Sequence, residues 1–97
     1  MKRYRPVPRE EVLAWAERFA KKSLEEVIAM LGAPVREHGP SQYERHFAGK
    51  TIEITRITKT FEFSDVSASV HTLLVDMRED GKLEYRFQGR ELTETKR

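Results

Sequence analysis

The stretch KKSLEEVIAMLGAP, residues 21–34, marks both ends of a short helix and sets the order of the rest of the fold. Ser23 is a favourable N-cap, and Glu26 three residues later completes a capping box. Gly32 is placed to take a left-handed conformation after the last turn, and Pro34 blocks continuation of the helix. A helix of about eight residues is unstable alone. The pattern therefore predicts that its apolar face packs against another layer.

A longer helix is predicted before this stretch, beginning near Pro8. Proline suits the first helical position, and Glu10 and Glu11 favour the positive end of a helix. Apolar residues then recur at helical spacing and form one stripe. The stripe consists of Val12, Trp15, Ala16, Phe19 and Ala20. Two helices thus precede everything else in the chain.

The segments SQYERHF (41–47) and TIEITRITKTFEF (51–63) are typical of strands, because they alternate or are rich in β-branched residues. In the second segment the apolar positions change parity after Ile54, since the next one is Ile57. A strict period of two would expose one of the two sets. We therefore expect a β-bulge near Thr55 and Arg56 that brings both sets to one face.

The segment VHTLLVDMREDGKLEYRFQG (70–89) predicts a hairpin whose register can be derived. A two-residue turn would pair apolar with charged residues on each face. A three-residue loop over residues 79–81 pairs Met77 with Leu83 and makes one face wholly apolar. This register places Gly81 in the left-handed position of a G1 bulge.

Helices followed by strands indicate an α+β fold. We expect two N-terminal helices packed on one face of a three- to four-stranded antiparallel meander sheet. The expected single domain covers residues 8–92. Residues 1–7 are predicted to be a basic N-terminal tail and residues 93–97 a polar C-terminal tail.

The composition excludes several classes of function. The 97 residues include no cysteine, which removes disulfides, thiolate metal sites and a cysteine nucleophile. Charged residues make up 35% of the chain, and no long apolar run predicts a membrane span. The basic start lacks the apolar region of a signal peptide. We expect a cytoplasmic protein, with the periplasm as the alternative for a trimmed export product.

No pattern predicts catalysis. The three histidines, His38, His46 and His71, lack the spacing of a zinc site. The serines at 64, 67 and 69 lie in a polar loop without the context of a nucleophile. The expectation is a protein that is not an enzyme, with no catalytic residue, cofactor or metal ligand.

The capped helix and the hairpin turn together resemble the BamE (SmpA/OmlA) family of outer-membrane assembly lipoproteins. The likeness rests on Ser23, Glu25 to Val27, and Leu31 to Pro34, and on the Asp80-Gly81-Lys82 turn. The same order of elements is similar to that of the β-lactamase inhibitor protein. The resemblance implies a small non-enzymatic scaffold that binds another protein. The chain departs from the family at Lys22, where a glycine is usual, and in lacking the export signal and lipidated cysteine.

The predicted function is a protein–protein interaction module whose partner is unidentified. The sheet face away from the helices is its expected docking surface, with Arg56, Thr58, Leu74 and Arg86 as candidate partner-binding residues. On this face diagonal contacts of Asp76 with Arg86, and of Arg78 with Glu84, are expected to offset like charges that lie directly opposite. Two other readings stay open. The face can be a solvated checkerboard of charges. The basic termini can bind nucleic acid, which is less favoured because a solvated terminus explains their charge and the acids on the open sheet face repel phosphate.

Overall fold

The structure is a computed structural model that describes residues 3–92. Helix α1 spans Arg9–Phe19 and helix α2 spans Leu24–Leu31. The strands are β1 Arg36–His38, β2 Ser41–Phe47, β3 Lys50–Ser64, β4 Val70–Arg78 and β5 Leu83–Gly89. The α+β class, with helices preceding an antiparallel sheet, is confirmed.

All strand pairs are antiparallel, and the sheet order is β1-β3-β4-β5, with β2 also paired to β3. The described sheet has five strands, one more than the upper predicted number. The additional strand is β1, a three-residue segment that pairs with residues 60–62 of β3. So short a strand carries no recognisable alternation, and only its pairing with β3 defines it.

The core lies between the helices and one sheet face. Trp15 and Phe19 from α1 and Val27 from α2 are buried against the sheet. The sheet contributes Phe61, Phe63, Val70, Leu73 and Val75. The ring of Phe19 stacks on Trp15 at 5.4 Å between centroids and on Tyr85 at 4.6 Å. Aromatic stacking therefore connects α1 directly to β5.

The β4–β5 hairpin has the predicted register. Met77 lies opposite Leu83, and Val75 lies opposite Tyr85. Gly81 has φ of 87°, as a three-residue loop requires. The apolar side chains of both strands consequently share the face that the helices cover.

Both ends of α2 are capped by the predicted residues. The Ser23 hydroxyl accepts a hydrogen bond from the Glu26 N–H at 3.2 Å, and the Glu26 carboxylate accepts one from the Ser23 N–H at 3.1 Å. Gly32 ends the helix with φ of 88° and ψ of −179°. The positive φ was expected. The extended ψ was not, and it belongs to a region that essentially only glycine occupies.

Substitution of Gly32 by valine should destabilise the protein by at least ~1 kcal/mol. No atom lies within 4 Å of a Cβ built at Gly32, so the cost arises from the backbone conformation and not from a clash. Ser23→Ala should cost about 0.5–2 kcal/mol through loss of the cap. Urea denaturation checks both. An unchanged midpoint for Gly32→Val would show that the position tolerates a branched side chain and that the conformational argument is wrong.

A carboxylate connects α1 to the loop between β3 and β4. Ser67 donates from its hydroxyl to the Glu11 carboxylate at 2.7 Å and accepts from the backbone N–H groups of Ser69 and Val70. Trp15 also donates to Glu11, at 3.4 Å. The hydrogen bond from Ser67 lowers the pKa of Glu11 below its ordinary value of 4.5. The loop that was predicted to be simply polar is thus anchored to the first helix.

The Glu11 contact makes stability depend on pH. A carboxyl group with a lowered pKa in the folded protein stabilises it above the unfolded pKa, and the contribution is lost as the pH falls through the folded pKa. Wild-type protein should therefore be more stable than Glu11→Gln at neutral pH, and the difference should shrink well below pH 4.5. Denaturation of both proteins across this range measures it. A difference that does not change with pH would contradict the assignment.

The predicted basic N-terminal tail, residues 1–7, is described from residue 3 onwards. Its described part pairs with the chain after β5: Arg5 donates to the Arg90 carbonyl at 2.8 Å, and Leu92 donates to the Arg3 carbonyl at 2.8 Å. At Gly89 a Cβ would lie 1.7 Å from the Arg5 carbonyl oxygen. Only glycine lets the two segments approach so closely. The predicted C-terminal tail, residues 93–97, lies outside the described residues.

Candidate interaction surfaces

The sheet face away from the helices carries a row of residues that spans four strands. Arg36 of β1 lies opposite Glu62 of β3, Glu62 opposite Leu74 of β4, and Leu74 opposite Arg86 of β5. Arg36 contacts Glu62 at 3.4 Å, and His38 contacts the same carboxylate at 3.0 Å. Leu74 is half-buried within this row. Two of the four candidate residues, Leu74 and Arg86, are therefore brought together as expected.

The predicted diagonal ion pairs are present. Arg86 donates to Asp76 from Nε at 2.8 Å and from Nη2 at 2.9 Å. Arg78 donates to Glu84 at 2.9 Å. These contacts bring opposite charges together where like charges stand directly opposite in the register. The two diagonal contacts that the sequence predicted are therefore confirmed.

The sequence did not indicate that one member of this network is buried. Asp76 is only 2% exposed, and its carboxylate also accepts from the Thr60 hydroxyl at 2.6 Å. The Arg86 side chain remains 60% exposed. Its hydrogen bonds to Asp76 raise the pKa of Arg86. Arg86 therefore neutralises a buried charge as well as facing the solvent.

An arm formed by residues 41–56 extends the sheet on one side. It consists of β2 and the part of β3 that precedes Ile57, where pairing with β4 begins. Seven residues of β3 at about 3.3 Å each give an arm some 20 Å long. The radius of gyration is 15.4 Å. A compact chain of this length would have a radius of gyration of about 12–13 Å, so the molecule is less compact than a typical globular domain.

A tyrosine of β2 connects the arm to β5 by a hydrogen bond. Tyr43 lies opposite Thr55 on the arm and donates its hydroxyl proton to the Glu84 carboxylate. This hydrogen bond raises the pKa of Tyr43. Thr55 and Ile57 are buried on this side of the arm, outside the helix-covered core. The arm thus curls over the side of the sheet that holds Asp76.

The β-bulge in β3 lies further along the chain than predicted. Ile57 pairs with Arg78 and Lys59 with Met77, so Thr58 is the inserted residue. The reason for the bulge also differs, because Ile52 and Ile54 do not join the core. At the bulge, the hydroxyl of Thr58 donates a hydrogen bond to the Met77 carbonyl at 3.0 Å and connects β3 to β4.

The bulge separates the four candidate residues. Ile57 points to the face of Asp76 and Leu74, so its neighbour Arg56 points to the other face, and Thr58 lies in the bulge itself. Arg56 lines a hollow of about 530 Å³ between Ile54 and the β4–β5 turn. Thr58 and Arg56 line a neighbouring hollow of about 430 Å³ beside Pro40. The single docking face expected from the sequence is therefore divided into two surfaces.

The arm exposes large apolar side chains. Phe47 at its tip is 72% exposed, and Ile52 and Ile54 are 57% and 48% exposed. All seven residues of β2 are exposed as well. The tip is a two-residue turn in which Ala48 and Gly49 both have positive φ. This turn type is favoured in hairpins, but the sequence Ala-Gly is a weaker signal for it than Asn-Gly. The sequence pattern therefore did not predict the arm as a separate feature.

The histidines lie apart from one another. His38 contacts Glu62, His46 contacts Glu44 at 3.2 Å, and His71 contacts the Thr72 hydroxyl. Within residues 3–92 no group of three or more histidine, aspartate or glutamate side chains could hold a metal ion. In the same range neither helix is long and apolar enough to cross a membrane.

Compared with known proteins, the chain matches no protein family, and no curated protein or solved structure matches it.

Proposed function

We propose that this protein is a small non-enzymatic module that binds another protein through the arm. The resemblance of its capped helix and hairpin turn to the BamE family supports a protein-binding scaffold. The observation that carries the proposal is the exposure of Phe47, Ile52 and Ile54 on a two-stranded element. Such a hairpin is at best marginally stable alone in water, and burial of its apolar side chains by a partner would stabilise it.

The outer edge of β2 suggests how the partner binds. In the described sheet β2 pairs only with β3, so its other edge presents backbone N–H and C=O groups to solvent. An extended segment of a partner can add a strand there and satisfy these groups. Glu44 and Arg45 project to opposite faces of this edge and would favour a partner strand with complementary charges.

The hollows at the root of the arm extend the same surface. Arg56 makes no ion pair with another described residue and lies beside Ile54. An unpaired arginine next to an exposed aliphatic side chain is a combination that often anchors interfaces. By contrast, Arg86 is already bound to Asp76, and Leu74 is half-buried. We therefore place the main contacts on the arm, and we propose Leu74 and Arg86 as a secondary surface.

The test is a comparison of matched variants in a crosslinking pull-down. Ile52→Thr with Ile54→Lys removes two of the exposed apolar side chains of the arm. The arm should stay folded, because Thr suits a strand and Lys would lie opposite Glu44. Leu13→Lys with Val35→Thr is the control, since these residues are equally exposed elsewhere. We expect the arm variant to lose the partner that the wild type and the control both retain, with unchanged circular dichroism.

Three outcomes would redirect the proposal. Undiminished binding by the arm variant would exclude the arm. Loss of binding on Leu74→Lys alone would place docking on the sheet face. Binding of a labelled oligonucleotide that disappears in Arg3→Ala with Arg5→Ala would favour the nucleic-acid alternative, in which case the affinity should fall steeply with salt.

A further inference from the structure

A further concave surface, separate from the two hollows beside the arm, lies between the end of α1 and the β4–β5 turn. It is a groove of about 550 Å³. Its apolar walls include Phe19, Leu83 and Tyr85, with the Phe19 and Tyr85 rings stacked at 4.6 Å. This volume is in the range of sites that hold a small ligand or one or two side chains of a peptide. The groove shares no lining residue with the arm.

Three lysines surround these apolar walls. Lys21 and Lys22 come from the end of α1, and Lys82 comes from the β4–β5 turn. None of them makes an ion pair with another described residue, and the groove lining includes no acidic side chain. The nearby Asp80 forms an ion pair with Arg78 at 3.1 Å, and its carboxylate accepts a hydrogen bond from the backbone N–H of Lys82. The lining of the groove is therefore positive, and the acid that interacts with one of its lysines, Glu26 beside Lys22, lies outside the lining.

The structural role of a helix end accounts for only part of this charge. Positive side chains are favoured after the C-terminus of a helix, which explains Lys21 and Lys22. It does not explain Lys82, which belongs to the β4–β5 turn. Moreover, Lys21 has φ of 62°, a conformation that glycine would adopt at lower cost. The convergence of three unpaired cations from two elements on an apolar groove requires another reason.

We propose that this groove binds an acidic segment of a partner protein. One bulky apolar side chain would pack on Phe19 and Tyr85, and the flanking carboxylates would contact the three lysines. Apolar contact would supply most of the affinity, because exposed ion pairs are individually weak. The lysines would supply selectivity and faster association. This surface is independent of the arm, so either site can be tested without the other.

The probe is a short synthetic peptide with one phenylalanine flanked on both sides by glutamates. Two comparison peptides carry alanine in place of the phenylalanine, or glutamines in place of the glutamates. Trp15 is the single tryptophan of the chain and stacks on Phe19, so its fluorescence should report binding. Calorimetry measures the affinity. We expect the glutamate peptide to bind at least about ten-fold more tightly than either comparison peptide at low salt, and the advantage over the glutamine peptide to shrink as salt is added.

Variants identify the site. Lys21→Glu with Lys82→Glu should weaken binding at least about ten-fold, while Lys50→Glu with Arg3→Glu, which makes the same change in net charge elsewhere, should have little effect. Ala16→Phe should block the groove and leave the helix intact, because the side chain lies at its wall. Equal losses in both charge variants, equal binding of the three peptides, or preference for a DNA oligonucleotide over the acidic peptide would each overturn the proposal.

Discussion

Replacement of Trp15 by alanine is expected to lower the free energy of unfolding by about 3–5 kcal/mol. Trp15 is buried, stacks on Phe19 and donates to Glu11, so its removal leaves a cavity between α1 and the sheet. Proteins of this size are stable by only about 5–15 kcal/mol. The variant should therefore be close to unfolding at moderate temperature. Urea denaturation followed by circular dichroism measures the loss.

Leu13→Ala is the matched control for Trp15. It lies on the same helix, but its side chain is more than half exposed. Its substitution should change stability by no more than about 0.5 kcal/mol. Equal effects of the two substitutions would mean that α1 does not pack through Trp15, and a tryptophan emission spectrum like that of free indole in the wild type would mean the same.

Replacement of Arg86 by methionine should cost about 2–3 kcal/mol. Among residues 3–92, the buried Asp76 carboxylate would then keep only the Thr60 hydroxyl as a side-chain partner. The loss is expected to fall short of the largest values for buried pairs, because Arg86 is 60% exposed and water can replace part of it. Arg86→Lys should retain part of the stability, since lysine keeps the charge but not the two-pronged geometry.

Two further variants distinguish the contribution of the Arg86–Asp76 pair to stability from that of ordinary exposed ion pairs. Arg78→Met removes two ion pairs, to Glu84 and to Asp80, in which every side chain is at least about one-third exposed, and it should cost at most about 1 kcal/mol. The double substitution Asp76→Leu with Arg86→Met should recover part of the loss of Arg86→Met, because no unpaired carboxylate remains. If Arg86→Met cost no more than Arg78→Met, the burial of Asp76 would have no energetic consequence.

The dual role of Arg86 also affects any test of docking on the sheet face. A charge reversal at this position would place a carboxylate beside Asp76 and damage the fold. Loss of a partner in such a variant could not be assigned to the interface. Leu74→Lys is the better substitution, because Leu74 is half-buried and its replacement leaves the contact of Arg86 with Asp76 in place.

The features that the sequence predicted are local or pairwise. The capping box of Ser23 and Glu26, the positive φ of Gly32 and the loop at Gly81 depend on residues within a few positions of one another. The register of β4 and β5 followed from requiring one apolar face, and the diagonal pairs of Asp76 with Arg86 and Arg78 with Glu84 followed from that register. Period and turn length are sufficient for such inferences.

What the sequence by itself determined is therefore the α+β class, the caps of α2, and the geometry of the β4–β5 hairpin. Only the tertiary structure decided that Arg3 and Arg5 pair with residues 90–92 after β5, that the bulge falls at Thr58, and that residues 41–56 form an arm. It also decided the burial of Asp76 and the meeting of Lys21, Lys22 and Lys82 around one groove. The physical reason is that alternation along a strand indicates the face on which each residue lies, but it does not indicate how far the neighbouring strands extend. Beyond the end of β4, β3 keeps its β-branched composition, and Ile52 and Ile54, which have the side chains of core residues, are exposed.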